Sequence, residues 1–165
     1  MKIDYSLLEK NLKVNFKDKN LLIKSLTHKS FNKEVNNEKI EFLGDRVLGL
    51  VIAKKLLEIY PNEKEGSLDK KFASLVNKKT CLDIAKNLDL QKYVLTFNVH
   101  NKKKIIEDKV LADSCEALMG AIYLDKGFNI VEKIIINLWS KHIKESIITQ
   151  IDAKTKLQEL SLKKF

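Results

Sequence analysis

Five carboxylates interrupt two stretches of sequence that are otherwise suited to a protein interior. In Asn37-Glu38-Lys39-Ile40-Glu41-Phe42-Leu43-Gly44-Asp45-Arg46-Val47-Leu48-Gly49-Leu50-Val51-Ile52, the acids Glu38, Glu41 and Asp45 fall at i, i+3 and i+7 and project from one helix face. The stretch Val110-Leu111-Ala112-Asp113-Ser114-Cys115-Glu116-Ala117-Leu118-Met119-Gly120-Ala121 repeats the arrangement, with Asp113 and Glu116 at i and i+3. Converging carboxylates repel strongly where water is scarce, and the remedies are a basic partner, protonation or a bound cation. One such acid alone reads first as a surface or capping residue, and Glu41 or Glu116 could pair with Lys39, Arg46 or a lysine elsewhere. Two acid-bearing apolar helices in one small chain point instead to a metal site. All-oxygen ligation suits a hard ion, of which magnesium is the usual choice for phosphate chemistry.

The elements that must hold these acids are helices. One proline and five glycines leave few places for hairpins, and the apolar periodicity runs in long segments, so the fold class is all-α. A first helix is expected over Tyr5–Asn15, and a second after Asp18 or Asn20 as cap. A loop follows at Phe31–Asn36, then a long helix from Asn37 through Glu58, ended by Tyr60-Pro61-Asn62. Further helices are expected from Ser67 toward Val76, from Thr80 or Cys81 to about Leu88, over Ile106–Leu124, and over Ile130–Ile148. In Ile106–Leu124 the small residues Ala112, Ser114, Ala117, Gly120 and Ala121 permit close packing against another helix. Gln91–Lys104 reads as a partly extended loop.

Composition narrows the partners. Lysine and arginine exceed aspartate and glutamate by 31 to 22, giving a net charge of +9, which favours an anionic partner such as nucleic acid or a membrane surface. Lysine-rich usage can equally reflect genome composition. The apolar stretches are broken by charges well before the ~18 residues that a membrane span requires, so no membrane association is expected. The N-terminus lacks an apolar signal core, and a cytoplasmic location is the expectation. Cys81 and Cys115 lie far apart without a Cys-x-x-Cys partner, which reads as two plain buried thiols rather than a zinc site or a disulfide.

Asn37-Glu38-Lys39-Ile40-Glu41-Phe42-Leu43-Gly44-Asp45 is very similar to the signature stretch of ribonuclease III. Leu111-Ala112-Asp113-Ser114-Cys115-Glu116-Ala117-Leu118-Met119-Gly120-Ala121-Ile122-Tyr123-Leu124-Asp125 resembles that family's second acidic motif. Leu26-Thr27-His28-Lys29-Ser30-Phe31 and Leu75-Val76 match in order, and the likeness covers roughly residues 5 to 148. The resemblance implies the ribonuclease III endonuclease-domain helical fold and an endoribonuclease that cuts double-stranded RNA in rRNA and mRNA precursors. The implied products carry 5′-phosphate and 3′-hydroxyl ends with short 3′ overhangs. It implies that Glu41, Asp45, Asp113 and Glu116 ligate the catalytic Mg2+, for which Mn2+ can substitute, with Asp45 and Glu116 central to catalysis. Glu38 and Glu65 are implied as supporting acids of the cleavage centre, Glu63 being an alternative in the same loop. It also implies a homodimer in which Phe42 plugs into the partner subunit, although an ordinary core aromatic remains an alternative reading. His28 reads as structural, since the family's chemistry needs no histidine. Lys70, Lys71, Lys78, Lys79 and Lys102–Lys104 read mostly as solvated surface, some of them meeting phosphates.

Two departures from the family pattern stand out. Arg46 occupies a position usually held by a small polar residue, where it could pair with an acid, and Lys70-Lys71-Phe72 replaces a more arginine-rich pattern. The chain is expected to divide into a catalytic domain, 1–150, and a segment, 151–165, in which Asp152-Ala153-Lys154-Thr155-Lys156-Leu157-Gln158-Glu159-Leu160 resembles the start of a double-stranded-RNA-binding domain. Two rival readings remain: a non-catalytic RNA-binding relative of the same fold, which loss of the metal-binding acids would mark, and an unrelated helical metal-dependent hydrolase acting on small phosphates.

Overall fold

A computed structural model describes residues 3–97 and 105–147, together with 157, 158 and 161. The helices are α1 (Ser6–Leu12), α2 (Lys19–Ser25), α3 (Glu38–Ile59), α4 (Glu65–Val76), α5 (Lys78–Asn87), α6 (Asp108–Lys126) and α7 (Phe128–Leu138). Residues 140–147 are also helical. Among the described residues there is no strand, only an isolated parallel bridge between Thr27 and Leu95. The expected all-α class is therefore observed.

Local chemistry explains the boundaries. Lys13 takes a left-handed conformation with φ 54°, which ends α1 at Leu12, three residues short of Asn15. Asp18 is the cap of α2, its carboxylate accepting from the backbone N–H groups of Asn20 and Leu21. Asn77, rather than Thr80 or Cys81, opens α5, because its side-chain oxygen accepts from the Thr80 N–H at 2.9 Å. The expected helix Ile130–Ile148 begins earlier, at Phe128, and is divided at Trp139, whose buried indole N–H donates to the Leu75 carbonyl at 2.8 Å. Gln91–Lys104 opens on the 3-10 turn Leu90–Lys92 and becomes extended at Leu95, which exchanges backbone hydrogen bonds with Leu26 and His28. The lysines 102–104 and the stretch 152–156 lie outside the described residues.

Helix α6 is the axis of the domain. Its residues from Val110 to Ile122 are buried, Asp113 excepted, and it packs against α2, α3, α5 and α7. A helix apolar on nearly every side must be enclosed in this way. Helix α3 buries Ile40, Gly44, Val47, Leu48, Val51, Ile52 and Leu56 along one stripe against it. Where the two helices cross, their main chains touch. A β-carbon built on Gly44 would stand 1.8 Å from the Glu116 carbonyl oxygen, and one on Gly120 would stand 2.4 Å from that of Ile40. Glycine is required at both positions because the obstacle is backbone, which no rotamer change can clear. Beyond the crossing, Asp125 accepts from the backbone N–H groups of Lys17 and Asp18 at 2.9 Å each, fastening the α1–α2 loop to the end of α6.

Candidate active site

The crossing decides which acids meet. Glu41 lies one turn before Gly44 on α3, and Asp113 and Glu116 lie two turns and one turn before Gly120 on α6. Backbone contact at the glycines brings carboxylate oxygens of Glu41, Asp113 and Glu116 within 4.8 Å of one another. Glu116 is only 3% exposed, while Glu41 and Asp113 are half-buried. Two recesses meet around the group. One is bordered by Glu38, Glu41, Phe42, Asp45, Arg46, Asn77, Lys78 and Glu116, the other by His28, Lys29, Asn37, Glu38, Lys109 and Asp113 among others.

A lysine occupies the focus of the cluster. Lys78 Nζ donates to Asp113 Oδ1 at 2.5 Å and to Glu116 Oε2 at 2.8 Å, and stands 3.5 Å from Glu41 Oε1. The Asn77 cap positions it by starting α5 beside the acids. Cys81, one turn along α5, turns its thiol toward Glu116 Oε1 at 3.7 Å. Burial pushes the thiol of Cys81 up to about 12, with the Glu116 charge adding to the effect, and raises that of Cys115 well above its ordinary value. Both are buried and neutral, consistent with plain interior thiols.

Electrostatics in the cluster reflect competition between burial and pairing. Burial raises Glu116 above the usual carboxylate range despite its hydrogen bond from Lys78. Glu41 is raised by burial first and by repulsion from Asp113 second. Burial works against the Lys78 charge, but hydrogen bonds to Asp113 and Glu116 outweigh it and raise the ammonium above the ordinary lysine value. Opposite directions are usual for the two halves of an ion pair; here both rise because Glu116 is the far more deeply enclosed partner.

The remaining sequence-derived candidates are placed differently. Asp45 borders the first recess but pairs with Arg46 at 2.7 Å, the acid pairing that the unusual arginine allows. Arg46 also stacks its guanidinium over the Phe42 ring, 4.1 Å from the centroid. Glu38 sits at the rim, ion-paired to Lys29 at 2.8 Å, which holds its carboxyl below the ordinary value. Glu65 opens α4 and lines an apolar recess with Leu57, Leu68 and Phe72, bordered by none of the other candidate acids. Phe42 is 64% exposed. His28 belongs to a structural network in which Nδ1 lies 2.8 Å from Ser30 Oγ, itself 3.0 Å from Thr96 Oγ1. The residue that sequence reasoning undervalued is Lys78, which it left among lysines of the surface. The only hint was the capping asparagine before it, which fixes where α5 starts.

The donor set fits a divalent cation. Three hard oxygen donors from two rigid helices converge on one point, burial discourages them from standing uncompensated, and they already gather one positive group. Such an all-α domain, with acids converging at a glycine-to-backbone helix crossing, has the frame of a helical protein that could hold a cation. A family model described as Ribonuclease-III-like matches residues 18–143. The chain belongs to the ribonuclease III family and is an enzyme of that class. Ribonuclease 3 of Pelagibacter ubique (strain HTCC1062) is 69% identical over 165 residues, covering 100% of this chain and 74% of the relative. Ribonuclease 3 of Aliarcobacter butzleri (strain RM4018) is 41% identical over 165 residues, covering 98% and 74%. The fold is similar to the nuclease domain of ribonuclease III from Campylobacter jejuni, with a TM-score of 0.79 and 43% identity over 84% of this chain and 97% of that one. That structure was described for flexibility in a region involved in its dimer formation. Membership in this family removes the rival of an unrelated helical hydrolase. No helix among the described residues is long and apolar enough to cross a membrane.

Proposed function

We propose that the chain hydrolyses double-stranded RNA at the Glu41–Asp113–Glu116 centre with a bound Mg2+, leaving 5′-phosphate and 3′-hydroxyl ends with short 3′ overhangs. The observation that carries this reading is the convergence of three carboxylates, one almost wholly buried, at the wall of an open cleft. When bound there, a divalent cation supplies an activated water and stabilises charge on the departing 3′ oxygen. Glu41, Asp113 and Glu116 hold the cation, and their helices fix its position because the glycine crossing leaves the backbones no slack. Asp45 completes the ligand set from the rim once released from Arg46. Glu38 acts as a supporting acid from the cleft edge, and Glu65 from the recess beside Phe72. A surplus of nine positive charges draws the RNA backbone toward the domain, with recognition by shape and phosphate rather than base sequence. Precursors of rRNA and mRNA are the substrates in this reading, and the cytoplasm is where they are met.

The working form is a homodimer assembled on the outer face of α3. Phe42, Leu50 and Leu57 are all more than half exposed, and they fall within an arc of roughly 80° around the helix, so they form one apolar stripe. Beside it is a largely apolar recess of about 290 Å3 lined by Ala53, Leu56, Leu57, Leu68 and Phe72, with Glu65 and Asp69 also lining it, large enough to receive an aromatic side chain such as the partner's Phe42. The test is cleavage of a long RNA duplex at low salt with Mg2+, beside Glu116→Gln and a metal-free control. Short duplex products that disappear in both controls support the reading. A duplex that is bound but left intact by the wild-type chain overturns it in favour of a non-catalytic RNA-binding relative.

A further inference from the structure

Three acids share one lysine at the centre of the site. Lys78 Nζ reaches Asp113, Glu116 and Glu41 at 2.5, 2.8 and 3.5 Å, and these are the same three carboxylates whose oxygens lie within 4.8 Å of one another. An ammonium has three N–H groups and no acceptor, so it satisfies three carboxylates much as a small cation does. Its nitrogen occupies the space that an ion bound to all three would need. The lysine and the ion therefore exclude each other.

Lys78 is also built to leave. Its side chain remains 52% exposed although its partners Glu116 and Asp113 are largely enclosed, so the ammonium enters the cluster from solvent along a four-carbon stem. It sits in the first turn of α5, outside the set of residues that this helix buries. Glu116 has nowhere to go: its carboxylate is held between Lys78 on one oxygen and Cys81 on the other.

We propose that Lys78 is a tethered, displaceable cation that holds the three acids in register in the metal-free enzyme and is expelled when a divalent ion enters. This rests on the reading of Glu41, Asp113 and Glu116 as the cation site. Lys78 is thus a positioning residue. It lets the domain fold and keep its site assembled without metal, at the expense of affinity, because each binding event must first break the lysine's contacts.

The test is calorimetric titration of Mn2+ alone into the metal-stripped 165-residue chain and its Lys78→Met, Lys78→Arg and Glu116→Gln variants. Lys78→Met is expected to bind Mn2+ about tenfold more tightly than wild type, the equivalent of ~1.4 kcal/mol. Lys78→Arg, which keeps a cation at the site, should fail to show this gain. A residue whose role was merely structural would weaken binding when removed, so the direction of the change separates the two roles. Equal or weaker Mn2+ binding by a folded Lys78→Met, alongside clear loss in Glu116→Gln, overturns the proposal while leaving the metal site intact. Unchanged binding in Glu116→Gln overturns the site itself, and the proposal with it. Should Lys78→Met be unfolded without metal, circular dichroism decides: folding restored by excess Mn2+ supports the exchange of one cation for another, and a chain that stays unfolded refutes it.

Discussion

Replacing Gly44 by alanine tests the claim that the site is made by the helix crossing. The added carbon would lie 1.8 Å from the Glu116 carbonyl oxygen, 2.7 Å from its carbon and 2.9 Å from the Gly120 nitrogen, all of them backbone atoms of α6. Ordinary contact begins near 3.4 Å, so α3 and α6 must part locally by about 1.6 Å. Overpacking of a core costs about 1–3 kcal/mol, and the rigidity of this obstacle puts the value at the upper end. Alanine returns about 1 kcal/mol through its better helix propensity. The net loss of ~2 kcal/mol lowers the melting temperature by about 4–8 °C for a domain of this size. The separation falls where Glu41 and Glu116 face each other. Their oxygens, now within 4.8 Å, would be driven further apart, beyond what one Mg2+ with bonds of about 2.1 Å can bridge. Thermal unfolding and Mn2+ titration of Gly44→Ala should therefore both report a loss. Gly66→Ala is the control, since nothing lies within 4 Å of the added carbon and α4 should gain up to ~1 kcal/mol. A Gly44→Ala protein as stable as wild type, with unchanged Mn2+ binding, would refute the reasoning.

Three further outcomes follow from particular residues. Burial raises Glu41 and Glu116 above the ordinary glutamate value of 4.5, so in the metal-free protein the native state binds more protons than the unfolded chain just above that value, and stability there rises as pH falls. Cation binding runs the other way: Mn2+ titrations between about pH 5 and 8 should show affinity falling with pH sooner than ordinary glutamates would dictate, and a flat profile contradicts the burial argument. Glu9, buried in the middle of α1, accepts the Phe16 N–H at 2.7 Å and pairs with Lys19. Glu9→Ala leaves that N–H without an acceptor and should cost about 1–3 kcal/mol in denaturant unfolding, whereas Glu9→Gln, which keeps an oxygen there, should cost less. Phe42→Glu places a charge in the proposed interface stripe and should shift sedimentation from dimer to monomer, with monomer stability changed by no more than ~0.5 kcal/mol; a persistent dimer would remove α3 as the interface.

Much of the site was legible because period and polarity conflict in α3 and α6. Acids at i, i+3 and i+7 in an apolar helix contradict burial, and only a tertiary partner resolves the contradiction, so Glu38, Glu41, Asp45, Asp113 and Glu116 stand out together before any fold is known. The small residues of α6 predicted close packing, and Gly44 and Gly120 realise it as backbone contact. What escaped was carried by long-range geometry. Apart from the capping asparagine before it, nothing local distinguishes Lys78 from Lys79, its neighbour, yet one is at the centre of the acids and the other on the surface. The break at Trp139 was equally hidden, since the surrounding apolar pattern is continuous and the feature that marks it, an indole bonded to Leu75, spans 64 positions of sequence.

Sequence alone determined that the chain would be helical, which faces of α3 and α6 would be buried, and that acids on those faces would need a counter-charge, because helical period and the aversion of carboxylates to low dielectric are local properties of the chain. The tertiary structure decided which acids actually converge, that Asp45 is drawn to Arg46 and Glu38 to Lys29, and that the first cation to reach the cluster is a side chain of the protein itself. Those outcomes depend on where two helices touch and where a third begins, and distances between residues remote in sequence exist only once the chain has folded.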